Sequence, residues 1–83
     1  MSMIKRYMDD SVIVRDAAEW IAQMTDATER GMALTVLFQE CGRMAQAYPK
    51  PEGAAKVLVD DVVEAFQAER ECVEILVNLE MVA

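Results

Sequence analysis

Two cysteines and two groups of carboxylates are the residues of this chain whose types could carry chemistry. Nucleophilic catalysis needs a thiolate or hydroxyl beside a base. The sequence contains no histidine, so the usual base is missing. Cys41 falls on the apolar stripe of a helical segment, where a buried thiol behaves as a small hydrophobe. Cys72 stands beside Glu71 and near Glu69, and negative neighbours raise a thiol pKa rather than lower it. Two cysteines with no CxxC or Cys/His spacing make neither a disulfide framework nor a zinc site.

Asp60, Asp61 and Glu64 lie within one helical turn, as do Glu71 and Glu74. Carboxylate clusters bind hard cations or do acid–base work. Here no Asp/Gly-rich calcium loop and no Glu-x-x-His pair accompanies them. The trio Asp60, Asp61 and Glu64 is therefore expected to form a solvated acidic face. Its other reading is mimicry, in which a rod carrying acids at phosphate-like intervals occupies a basic groove. No catalytic, cofactor-binding or metal-ligating residue is expected, and the chain is not expected to be an enzyme.

Eighty-three residues make one domain, near the lower limit for a self-sufficient core. At 54% apolar, with three glycines, two prolines and few aromatics, the composition excludes whole-chain disorder and favours helices over hairpins. A net charge of −7 is repelled by phosphate backbones and anionic lipid, so neither direct nucleic-acid binding nor membrane binding is expected. No stretch approaches the roughly 20 apolar residues of a membrane span. Met8-Asp9-Asp10 turns acidic too early for a signal peptide, and a reducing cytoplasm is the expected compartment.

The elements that would position these residues are helices. Residues 1–8 show no period and read as an arm. A first helix is predicted over about 10–24, with Asp9, Asp10 and Ser11 as candidate N-caps and Ile13, Ala17, Trp20, Ile21 and Met24 facing inward. Asp26-Ala27-Thr28-Glu29 has the form of a capping box and starts a second helix over 27–47. The competing boundary is Gly31, as the stop of a longer first helix. Leu34, Leu37, Phe38, Cys41, Met44, Ala45 and Tyr48 form the cleanest stripe, and Gly42 among them would permit a close helix approach. Pro51 suits the first position of a third helix over 51–80, with Glu52 in its first turn. The fold class is thus all-α: a three-helix bundle, or a helical hairpin plus an N-terminal helix, with a long acidic C-terminal helix.

That last helix is the most telling element. From Asp60 onward it carries seven acids and the single base Arg70, interleaved with more apolar surface than one neighbour covers. A helix over 51–80 is about 45 Å long and one over 27–47 about 31 Å, so in an antiparallel hairpin residues 75–83 overhang. In that register Cys41 faces about residue 60, and Cys72 lies roughly 18 Å further along, too far for an internal disulfide. The tail either bends near Glu69-Arg70-Glu71 and packs back, or frays, or pairs in a homodimer or higher oligomer, or binds a foreign partner. Val73, Ile75, Leu76, Leu79 and Val82 are its candidate interface residues. Trp20 joins them as a residue that fits either the core rim or a binding hot spot. The expected function is non-catalytic binding to another protein, a larger host enzyme or complex, with inhibition as its effect, as in phage- or plasmid-borne inhibitors. The alternatives are a homo-oligomeric assembly subunit, a small secretion-type chaperone, and the acidic nucleic-acid mimic.

Overall fold

The computed structural model describes residues 2–82, with side chains described through Met81. Three helices follow one another: α1 (Met3–Ala22), α2 (Ala27–Ala45) and α3 (Pro51–Val82). The partners of α1 and α3 advance together, from Tyr7 on Asp61 through Arg15 on Glu64 to Gln23 on Glu69. These two helices are therefore parallel, with α2 running antiparallel between their ends.

Helix α2 starts where the capping box places it. Asp26 is extended, and its Oδ1 accepts the Glu29 backbone N–H at 3.0 Å. Its apolar stripe also faces inward, with Leu37, Cys41 and Ala45 buried. Pro51 opens α3, again as the spacing predicts.

Helix α1 differs from expectation at its start. Of the segment expected to be an arm, residues 3–8 are helical and Met1 lies outside the described residues. Ser2 takes the N-cap, its hydroxyl accepting the Lys5 N–H at 3.2 Å, and the helix runs from Met3. The candidate caps lie inside the helix with other tasks: Asp10 accepts the Tyr48 hydroxyl at 2.7 Å, and Ser11 donates to Asp61 at 3.0 Å. The inward stripe is also rotated. Val14, Ala18, Ile21 and Ala22 are buried and Ala17 half-buried, whereas Ile13, Trp20 and Met24 are exposed. Ala18 and Ala22 expose no surface at all, so small residues share the inside of this helix with Val14 and Ile21.

Leu58, Val62 and Ala65 complete the core from α3. Among the described residues no buried core residue lies beyond Ala65. Gly42 turns out not to mark a close approach, since a Cβ built there meets nothing within 4 Å. Gly42→Ala is therefore expected to stabilise the fold by about 0.5–1 kcal/mol through lower backbone entropy in the unfolded chain. Urea denaturation measures it, and a loss of stability would mean that α2 lies closer to a neighbour in solution.

Candidate functional site

The bundle closes at the level of residue 70. The Arg70 guanidinium donates to the Ala22 carbonyl at 2.8 Å, placing positive charge on the C-terminal end of α1, which has no base in its own last turn. Gln23 donates to Glu69 at 3.3 Å beside it. Helix α3 then continues without interruption to Val82 and does not pack back. Its 32 residues, at about 1.5 Å each, account for the 52 Å long axis of the molecule.

Beyond that level the apolar residues stand in solvent. Ile75 is 59% exposed, Leu76 61%, Leu79 61% and Met81 80%. Val73 differs: it is half-buried at the bundle edge. The side chain of Val82 lies outside the described residues. The seam that buries Leu58, Val62 and Ala65 recurs every three and four residues, so its continuation reaches Cys72, Leu76 and Leu79. With Ile75 this makes an i, i+3, i+4, i+7 set, the spacing by which a helix docks into an apolar groove. Cys72 is exposed within that stripe. Sequence reasoning treated it only as a thiol, although carrying the seven-residue repeat forward from Leu58 and Ala65 leads to it. Glu71, Glu74 and Glu80 flank the stripe, and no base follows Arg70.

The other candidate residues sit elsewhere. Trp20 is 74% exposed but shares its face of α1 with Ile13, which borders α2. It is neither core nor part of the tail stripe.

The acidic trio is not one solvated face. Asp61 is turned into the α1–α3 seam, its side chain 16% exposed, and accepts hydrogen bonds from the Tyr7 hydroxyl at 2.8 Å and Ser11 at 3.0 Å. Arg15 lies 3.5 Å from Asp61 and 3.3 Å from Glu64, bridging the two. Only Asp60 is exposed and outside any ion pair among the described residues. The polar seam shows in its phenols. Burial, reinforced by Asp61, raises the Tyr7 pKa, and burial with the Asp10 hydrogen bond pushes Tyr48 up to about 12.

Cys41 is buried, and burial followed by the Asp61 charge pushes its thiol up. A thiol reagent is therefore expected to modify Cys72 directly from the folded state and Cys41 only through unfolding, a difference of roughly a thousandfold or more. Comparable rates at both positions would contradict the core described above.

Among the described residues no group of three carboxylate or thiol side chains is placed to hold a metal ion, and no helix is long and apolar enough to cross a membrane. No family model, curated protein or solved structure matches the chain. The free end of α3 thus presents exposed apolar side chains flanked by Glu71, Glu74 and Glu80.

Proposed function

We propose that this chain is a non-catalytic interaction protein that binds a larger host protein or enzyme complex through the free end of α3 and inhibits it. The observation that supports this reading is the solvent-exposed set Cys72, Ile75, Leu76 and Leu79 on a helix that has outrun its own bundle. Burying each large apolar side chain is worth about 1.5–3 kcal/mol, so the set holds enough unrealised free energy to drive binding. Its complement is a groove with an apolar floor and a lysine- or arginine-bearing rim, matching Glu71, Glu74 and Glu80. A helix lodged in such a groove excludes whatever else the groove receives, which makes inhibition the expected direction. The mimic reading loses support because Asp61 and Glu64 already hold Arg15.

The test is affinity capture from host lysate with the intact chain and with Leu76→Asp, followed by binding of the captured protein in purified form. A partner held by the intact chain and released by the substitution, with its own activity lowered in the complex, is the expected result. Capture unaffected by Leu76→Asp would remove the tail from the interface.

A further inference from the structure

The opposite end of the molecule carries a surface complementary to the tail. Between the first turns of α1 and α3 lies a cleft of about 420 Å³ lined by Met3, Ile4, Ala54 and Val57 with the rings of Tyr7 and Tyr48. Both phenol hydroxyls are already engaged, on Asp61 and Asp10, so the rings offer the cleft their carbon faces. Ile4 is 75% exposed and Val57 43%. The hollow continues past Pro49 to Lys50.

The charges at this end are of the opposite sign to those of the tail. The head segments 1–8 and 48–57 hold Lys5, Arg6, Lys50 and Lys56 with Glu52; Lys5 and Arg6 are paired with Asp9 and Asp10 one turn along α1, so the positive charge this end offers a partner is that of Lys50 and Lys56. Lys50 and Lys56 enter no ion pair among the described residues. Both α1 and α3 begin here and α2 ends here, so two positive helix ends stand against one negative, whereas the tail is the negative end of α3 alone.

We propose that the head cleft is the binding site for the α3 tail of a second copy of this chain. The inference rests on reading the tail as a helical ligand and adds a specific occupant for it. The two surfaces lie at opposite ends of a 52 Å molecule, so one chain cannot satisfy itself. Pairing tail with tail would set Glu71, Glu74 and Glu80 against their own copies with no base to offset them, and pairing head with head would oppose lysines. Head-to-tail contact instead sets Lys50 and Lys56 against Glu71, Glu74 and Glu80. Such a contact is heterologous and leaves a free head and a free tail on every assembly, so it extends rather than closing at a dimer.

Light scattering over a concentration series tests this with the wild-type chain, Leu76→Asp at the tail and Ile4→Asp at the head. Both substitutions are at exposed positions, and circular dichroism checks that the helices persist. The wild-type mass should climb with concentration without a plateau at the dimer and fall back at high salt. Each variant alone should stay monomeric, with association weakened at least ~10-fold, the usual scale for loss of an interface anchor. Their equimolar mixture should form a dimer, because one variant supplies an intact tail and the other an intact head. A wild-type chain that is monomeric throughout overturns the proposal. So does an Ile4→Asp chain that still dimerises, which would mean tail-to-tail pairing, or a mixture that stays monomeric. In each of these cases a tail-dependent host partner would still stand, so the failure of this inference is distinguishable from failure of the functional reading.

Discussion

Leu58→Ala is expected to cost about 2–5 kcal/mol, whereas Leu76→Ala changes folding stability by no more than about 0.5 kcal/mol. The two leucines belong to one seam of one helix. Leu58 exposes no surface and touches the core from all three helices, while Leu76 is 61% exposed. A chain of this length has a total stability of only about 4–12 kcal/mol. Losing Leu58 therefore removes a large share of it and lowers the melting temperature by well over 10 °C at the usual scaling for small domains. The comparison requires urea denaturation at low protein concentration, where contacts between copies do not contribute. A large penalty at Leu76 under those conditions would show that the tail packs on its own bundle in solution.

The second large effect lies at Asp61. Asp61→Ala leaves the Tyr7 and Ser11 hydroxyls without their acceptor and Arg15 without one of its two carboxylates. Stranding partly buried donors and breaking a charge-assisted pair together cost about 2–4 kcal/mol. Asp60→Ala, on the adjacent exposed carboxylate, should stay within about 0.5 kcal/mol. A double-mutant cycle of Tyr7→Phe with Asp61→Ala isolates the shared contact, and coupling below about 0.5 kcal/mol would mean that the hydrogen bond is not formed in solution.

The same carboxylate illustrates what the sequence could and could not reveal. The start of α2, the start of α3, the α2 stripe and the projecting tail were all legible, because each depends on nearby residues or on counting helical rise. Asp26 and Glu29 are three apart, and Pro51 follows a proline loop directly. Asp61 was not separable from Asp60 and Glu64, because its role depends on the register between α1 and α3, whose partners Tyr7 and Asp61 lie 54 positions apart. The rotation of α1 has the same origin. The three- and four-residue spacing of apolar positions places Ile13, Trp20 and Met24 inward. The α3 face opposite α1 instead carries Asp61, which favours Tyr7, Ser11 and Arg15 turned toward it, with Val14, Ala18 and Ile21 on the adjoining inner stripe. The first helical turns of α1 were missed because Ser2 is a single capping residue with no acid three positions on, and the stripe it introduces is partly polar.

The separation of the tail from the core has an evolutionary consequence. Residues 72, 75, 76 and 79 carry no share of the packing that holds residues 3–70 together, so changes there are not screened by folding. New binding preferences can arise at those four positions by single substitutions without a compensating change in the bundle. A library randomised at them should give variants with nearly uniform melting temperatures and widely different targets. Leu58, Val62 and Ala65, in the same helix, are held fixed by the core, so the freedom to vary belongs to its last turns alone.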